Sequence, residues 1–308
     1  MLDVRVHDTI ISGMPKSRLT TIQENPMNCA TRFGLWRIVL IAAIVLINPI
    51  QAKATSRSPV VGKKGMATSV EPLATRIGAD ILKKGGNAID AAVAIGFALA
   101  VTHPSAGNIG GGGFMVVRLA NGDAVAIDYR EKAPIKAHAK MYLDANGERA
   151  RNENVTTRSF RTGEMSHPFT NRVHHLAIGV PGTVAGFATA LEKYGTMSIK
   201  DVIQPAIELA EKGHILTKKY ANGLNRQASV FNQIPASKVA MLRADGKDWQ
   251  EGDRWIQKDL AETLKRIAKS GHDGFYAGKT AELIEKDMMA HGGMIDRADL
   301  AKYQAVVR

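Results

Sequence analysis

The spacing of apolar residues predicts two consecutive helices near the start of the globular part of the chain. Across residues 72–84 the apolar side chains recur at near-helical intervals, and Gly85-Gly86 ends this helix. Asn87 is a suitable cap for a second helix over residues 88–102, which is apolar on nearly every side. Such a helix is buried in a core, and at about 15 residues it is too short to span a bilayer.

Alternating apolar residues next predict an antiparallel hairpin. Residues 114–119 and 124–129 form its strands, and Asn121-Gly122 predicts a two-residue type I′ turn between them. A further short strand is expected over residues 65–70. The glycine-rich run at residues 107–113 lies between a helix and a strand, the reverse of the order in a dinucleotide-binding loop. We therefore interpret it as a close-packed turn that has no room for Cβ atoms.

The remainder of the chain predicts one long loop and then mainly helices. Residues 145–175 are polar and irregular, which predicts a surface loop, and its length indicates a functional or mobile segment. Pro205 lies inside one predicted helix and is expected to kink it or split it in two. The predicted helices cover residues 181–194, 198–212, 259–270, 279–290 and 296–303, and residues 304–308 are expected to be extended.

The N-terminal segment has the pattern of a secretory signal. Arg32 and Arg37 precede an unbroken apolar run over residues 38–47, and Ala52-Lys53-Ala54 provides small residues at a cleavage position. The alternative is an uncleaved anchor, but the run is shorter than the roughly 20 residues that a bilayer requires. The sequence thus predicts a signal peptide over residues 1–54, a single region over residues 55–308, and a periplasmic or secreted protein.

Composition excludes several classes of function. The chain is 45% hydrophobic and 23% charged, as in ordinary globular proteins. Its single cysteine, Cys29, precedes the apolar run, so the mature chain is expected to contain no disulfide, no cysteine nucleophile and no thiolate metal site. The net charge is +12, but the basic residues are scattered and form no nucleic-acid-binding motif. The positive net charge instead favours attraction to anionic substrates or surfaces.

Arg130, at the end of the second hairpin strand, is the main candidate for binding chemistry. An arginine in this position can bind a carboxylate through two parallel hydrogen bonds. From the residues alone a surface ion pair is the simpler interpretation, because Asp128 and Glu131 flank it. His174-His175 and nearby His167 show no metal-ligand spacing and no placed acidic partner, so we expect no metal site and no cofactor.

Six passages together resemble the γ-glutamyltranspeptidase family, with matching order and spacing from about Gly65 to Arg308. They are residues 90–94 (DAAVA), 99–104 (LAVTHP), 107–115 (GNIGGGGFM), 126–134 (AIDYREKAP), 179–187 (GVPGTVAGF) and 193–197 (KYGTM). The resemblance implies an α+β fold, the αββα sandwich of N-terminal-nucleophile hydrolases. It also implies a precursor that cleaves itself into a large and a small subunit, with no metal or cofactor.

The resemblance further implies a substrate and a mechanism. A threonine at the new N-terminus of the small subunit attacks the γ-glutamyl amide of glutathione or a related compound. Water or an amino-acid or dipeptide acceptor then resolves the acyl-enzyme. By position, Arg130 matches the family arginine that binds the α-carboxylate of the γ-glutamyl group, and this match replaces the ion-pair interpretation.

Two departures from the family pattern qualify these expectations. The Thr-Thr-His motif of the nucleophile does not occur; Thr156-Thr157 is followed by Arg158 in the polar loop. We therefore expect no catalytic residue in this chain, an incomplete sandwich, and the N-terminal portion of a large subunit. The stretch 149–175 also exceeds the usual connection. Two alternatives stay open: a non-catalytic protein that binds γ-glutamyl compounds or amino acids, and a related cephalosporin acylase.

Overall fold

A computed structural model describes residues 59–159 and 163–308. The predicted signal peptide, its cleavage position and Cys29 lie outside these residues. Among the described residues, no helix has both the length and the apolar character needed to cross a bilayer.

The helices are α1 (Pro72–Lys83), α2 (Ala88–Thr102), α3 (Thr183–Tyr194), α4 (Ile199–Lys212), α5 (Lys218–Phe231), α6 (Pro235–Met241), α7 (Lys258–Ser270), α8 (Asp273–Tyr276), α9 (Gly278–Ala290) and α10 (Arg297–Ala301). The strands are β1 (Phe114–Arg118), β2 (Ala124–Asp128), β3 (Thr157–Arg158), β4 (Met165–Ser166), β5 (His214–Ile215), β6 (Arg254–Trp255) and β7 (Val306–Val307).

The first two helices begin where local chemistry predicts. The carboxylate of Glu71 accepts the Ala74 N–H at the start of α1. Asn87 and Asp90 form a reciprocal capping box at the start of α2. The predicted strand over residues 65–70 is wrong, because this stretch has no strand partner and stays irregular.

Helix α2 lies at the centre of the helical layer. It packs against α1, α3 and α4, and α4 also packs against α7. The side chains of Val93, Phe97 and Val101 are fully buried, as the apolar pattern predicts. A second, smaller apolar cluster gathers around Trp249 and Trp255.

Helix α4 stays continuous through Pro205, so the expected split is wrong. A proline removes the hydrogen bond to the carbonyl four residues earlier, here that of Asp201. Asp201 is exposed, so water can satisfy this carbonyl. Burial of Val202 and Ile203 on the opposite face holds the helix together.

The main sheet is antiparallel, with strand order β1-β2-β7. Its hairpin pairs Phe114 with Asp128, and the segment predicted to be extended supplies β7. The connecting turn differs from the predicted two-residue type. The Leu119 N–H donates to the Asp123 carbonyl, which leaves three residues in the loop, and Gly122 has a φ of 96°. Three-residue hairpin loops use a glycine in this left-handed conformation.

The two faces of this sheet have different surroundings. Ile127 packs into the main apolar core, and Val117 on the same face is also buried. On the other face, Phe114 and Val116 are 58% and 79% exposed. Alternation along a strand places these two sets on opposite sides, so the second face carries apolar groups without cover from the described residues.

The polar loop contains short structure of its own. Strands β3 and β4 pair within it, and a 3-10 helix, His175–Ala177, ends it. The Thr156 hydroxyl donates to the side-chain oxygen of Gln233 at 3.1 Å, so this threonine anchors the loop to the end of α5.

Candidate functional site

The segment that carries Arg130 is held between two neighbouring backbones. On one side Tyr129 exchanges backbone hydrogen bonds with Gly113, at 3.0 and 3.3 Å. On the other side Lys132 exchanges them with Val180, at 3.2 and 2.7 Å. The arginine therefore lies on a segment whose backbone is hydrogen-bonded at the residues on both sides.

Three glycines allow this close approach. A Cβ on Gly112 would lie 2.5 Å from the Tyr129 carbonyl oxygen. Cβ atoms on Gly182 and Gly186 would overlap the same tyrosine, at its carbonyl oxygen and at its ring. The structure thus supports the interpretation of the glycine run as a close-packed turn. It also shows that Gly182, just before α3, and Gly186, within it, let this helix pack closely against the Arg130 segment.

The C-terminal residues of the chain support the segment from a third direction. The Tyr303 hydroxyl donates to the Arg130 carbonyl at 2.7 Å, and burial raises the pKa of Tyr303 to about 12. The Arg130 N–H donates to the Asp128 carboxylate, which also accepts from Arg308 at 2.9 Å. These two donors lower the pKa of Asp128, so it remains ionised. Together these bonds fix the position of the arginine backbone.

The Arg130 side chain itself extends into solvent and is 69% exposed. Its Nε atom lies 3.2 Å from Glu131 Oε2, the ion pair that the residues alone suggested. Within residues 59–159 and 163–308, no other protein acceptor contacts the guanidinium, so its two terminal nitrogens stay free to bind a ligand. Its assignment to an α-carboxylate stays a prediction.

Sequence reasoning missed the two tyrosines that stack beneath this segment. The rings of Tyr276 and Tyr303 lie 5.7 Å apart and nearly parallel. Tyr276 donates to the Pro181 carbonyl at 2.9 Å, and burial raises its pKa above the ordinary value. Tyr276 ends the short helix α8 and Tyr303 lies two residues after α10, and neither position indicates contacts with residues 95 or 173 positions away.

The histidines of the loop do have acidic partners, so that expectation from the sequence was wrong. His175 Nε2 lies 2.9 Å from Asp287, which belongs to α9. His167 Nε2 lies 3.4 Å from Glu153. His174 accepts the Leu176 N–H and caps the 3-10 helix, and its pKa is lowered by burial and by neighbouring histidines. Asp287 is 112 residues from His175, beyond the reach of a spacing argument.

Comparison with known proteins places this geometry in a family. The sequence model described as gamma-glutamyltranspeptidase matches residues 74–308. The glutathione hydrolase proenzyme of Escherichia coli K12 is 46% identical over 250 residues, 81% of this chain and 40% of that protein. The acylase ACY 1 proenzyme of Pseudomonas sp. SE83 is 40% identical over 252 residues, 82% of this chain and 43% of that protein.

Solved structures show the same relationship. The γ-glutamyltranspeptidase of Helicobacter pylori superposes with a TM-score of 0.74 at 48% identity, over 81% of this chain and 67% of that one. This likeness confirms the expected α+β fold of N-terminal-nucleophile hydrolases. The chain spans about 40% of the length of the curated relatives it matches. From the family match and these relatives, the chain belongs to the γ-glutamyltranspeptidase family.

Proposed function

We propose that this chain forms part of a γ-glutamyltransferase and glutathione hydrolase in which Arg130 binds the α-carboxylate of the γ-glutamyl group. The observation that carries the proposal is the position of this arginine. Tyr303 bonds the Arg130 carbonyl, and the neighbouring residues of its segment are bonded to Gly113 and Val180, while its terminal guanidinium nitrogens stay free of described protein acceptors. A planar cation on a rigid support is suited to orient a carboxylate.

The acyl-transfer chemistry is assigned to polypeptide outside these 308 residues. We propose that a threonine nucleophile at the N-terminus of a small subunit attacks the γ-amide, and that water or an amino-acid or dipeptide acceptor releases the glutamyl group. The role of this chain is then to hold the substrate by its carboxylate end. The uncovered apolar face at Phe114 and Val116 is the surface against which we place the second sheet of the sandwich.

Kinetics of Arg130→Ala in the full-length protein test the carboxylate assignment. We expect kcat/KM for a γ-glutamyl anilide to fall about 100-fold or more, because the substrate carboxylate loses a charged partner. The α-methyl ester of the same substrate lacks this charge, so its rate is expected to change little. Self-cleavage into two subunits should persist, which shows that the variant folds.

Arg226→Ala is the matched control, because Arg226 is an exposed arginine on α5, away from the hairpin and its outer face. Its kcat/KM is expected to stay at the wild-type value. Equal losses for the acid and the ester in Arg130→Ala would contradict a carboxylate-binding role. Calorimetric binding of glutamate without any turnover would instead favour the non-catalytic alternative.

Substrate comparison separates the transferase from an acylase. A glutaryl amide has the terminal carboxylate of a γ-glutamyl amide but lacks its α-amine, so Arg130 alone cannot distinguish the two. We expect the γ-glutamyl anilide to react faster in the complete protein. Preference for the glutaryl amide would assign the protein to the acylase branch.

We also propose that the protein is exported to the periplasm after removal of residues 1–54. The basic flank, the apolar run and the small residues before Thr55 support this proposal. N-terminal sequencing of the mature protein from a periplasmic fraction is expected to begin at Thr55. A mature chain that retains residues 38–47 would contradict it.

A further inference from the structure

A three-residue cluster joins the polar loop to helix α9 on a surface that the proposed function does not use. His175 Nε2 lies 2.9 Å from Asp287 Oδ2, and His291 Nδ1 lies 3.2 Å from Asp287 Oδ1. All three ligand-type atoms lie within 4.8 Å of one another. The imidazole rings of the two histidines stack at 4.6 Å, inclined by 14°.

The backbone brings this cluster together from two directions. Asp287 belongs to α9 and His291 directly follows it, and residues four apart lie on the same face of a helix. His175 reaches the same point from the first position of the 3-10 helix that ends the loop. His174 anchors that helix through its cap, so the His175 ring is presented by ordered backbone.

The donor set and its spacing are those of a zinc site. Two imidazoles and one carboxylate form a common ligand set for Zn²⁺. Metal bonds of about 2.0–2.2 Å in a tetrahedron place ligand atoms roughly 3.3 Å apart. The two nitrogen–oxygen pairs, at 2.9 and 3.2 Å to different oxygens of Asp287, lie at or just inside this spacing, and the three ligand atoms lie within 4.8 Å of one another.

Charge around the cluster also favours a cation. Among the described residues Asp287 has no lysine or arginine ion pair, and its two carboxylate oxygens face only imidazoles. His291 Nδ1 also faces the Asp287 carbonyl at 2.9 Å, so metal binding requires the ring proton to lie on Nε2. The carbonyl oxygen repels an Nδ1 atom without a proton, so the ring must also rotate away from it. The His291 side chain is half exposed, which leaves room for this rotation.

We propose that His175, Asp287 and His291 bind a divalent transition-metal ion, Zn²⁺ foremost, that fastens the polar loop to α9. The cluster lies at the edge of a cavity of about 860 Å³ between the loop, residues 233–237 and α9. The three protein ligands leave a fourth position for water. The role proposed for the ion is to link the loop to α9, and it does not rest on the proposed enzymatic activity.

Calorimetry with ZnCl₂ tests the site in the full-length protein, expressed without a histidine tag and stripped with EDTA. We expect one Zn²⁺ per chain and no comparable binding of Mg²⁺, which prefers oxygen ligands in an octahedral arrangement. Loss of an outer partner of a metal ligand costs about 10- to 100-fold in affinity, so His175→Gln and His291→Gln are each expected to lose more than about 100-fold.

His138→Gln is the matched control, because His138 is an exposed histidine outside the cluster. It is expected to keep the wild-type affinity. Zn²⁺ should also raise the melting temperature of the wild type and of this control, but not that of His291→Gln. His291 is half exposed, so its replacement should leave the metal-free melting temperature unchanged.

Two results would overturn the proposal. One is the absence of stoichiometric Zn²⁺ binding to the stripped wild-type protein, which would leave a histidine–aspartate charge cluster only. The other is wild-type affinity in a His175→Gln and His291→Gln double variant, which would place the metal elsewhere.

Discussion

The two faces of the β1-β2-β7 sheet differ in their packing although the same strands form both. The inner face is buried, with Val117 3% exposed, whereas Val116 on the outer face is 79% exposed. Both faces carry apolar side chains, although the outer face also carries Arg118 and Asp128. The difference is that other parts of the chain cover the inner face, whereas no described residues cover Phe114 and Val116 on the outer face. The comparison shows that only the inner face of this sheet is buried, and that the outer face is an exposed apolar surface on which a second layer could pack.

Gly186→Ala is expected to have the largest effect, and it tests how closely α3 packs against the buried side of the sheet. A Cβ there would overlap the ring of Tyr129, so α3 would have to move from the Arg130 segment. We expect the free energy of unfolding to fall by about 3 kcal/mol, measured by denaturant titration. In Gly223→Ala the new methyl meets open space in α5, and a gain of about 0.5–1 kcal/mol is expected. Equal effects at the two glycines would contradict the packing described.

A second test removes a buried carboxylate from the helical layer. Asp90 is fully buried and accepts hydrogen bonds from Asn87, Thr196 and Met197. Asp90→Ala leaves these donors without partners, and we expect a loss of about 2–3 kcal/mol in the free energy of unfolding. Ser198→Ala, which removes an exposed cap at α4, should cost only about 1 kcal/mol.

The pH dependence of this loss follows from the pKa of Asp90. Burial of Asp90 raises its pKa. The hydrogen bonds that the carboxylate accepts, led by that from the Thr196 side chain, lower the pKa by more than burial raises it, so the pKa in the folded protein lies below the ordinary value. The stabilisation is therefore complete above the unfolded pKa of about 3.9 and is lost as pH falls through the folded value. The difference between wild type and Asp90→Ala should narrow below about pH 4. A constant difference down to pH 2 would contradict this assignment.

Paired substitutions compare the two faces directly. Val117→Ala removes buried methyl groups and is expected to cost about 2 kcal/mol in the free energy of unfolding. Val116→Ala removes exposed ones and should cost less than about 0.5 kcal/mol. Thermal and denaturant unfolding of both variants of the 308-residue chain would measure the difference. Similar costs would show that the outer face is already covered.

In the 308-residue chain Val116→Thr is expected to have as small an effect as Val116→Ala, and this variant tests what covers the outer face. In the 308-residue chain the exposed hydroxyl is solvated, so the free energy of unfolding should change by less than about 0.5 kcal/mol. In a longer protein with a second sheet over this face, the hydroxyl is buried without a partner and should cost about 1–3 kcal/mol. The same small change in both proteins would contradict the placement of a second sheet here.

Local chemistry determined much of the fold from sequence. Asn87 and Asp90 are three residues apart and close the capping box at α2 by themselves, so the start of this helix was predictable. Alternation gave the hairpin strands, but the turn differed by one residue because Gly122 forms a longer loop. Pro205 misled the prediction because buried neighbours outweigh one missing hydrogen bond.

The candidate sites also differ in whether their residues are close together in the sequence or are brought together only by folding. Arg130 was identified from the sequence because its motif is continuous, and the resemblance supplied its expected role. The sequence alone predicted helices α1 to α4, α7, α9 and α10, the hairpin strands, the close-packed glycine turn and the family resemblance, but it did not predict α5, α6 or α8. Only the tertiary structure placed Tyr303 under Arg130, 173 residues away, and Asp287 beside His175, 112 residues away. Hydrogen bonding and periodicity act over a few residues, whereas these contacts depend on how whole helices pack against one another.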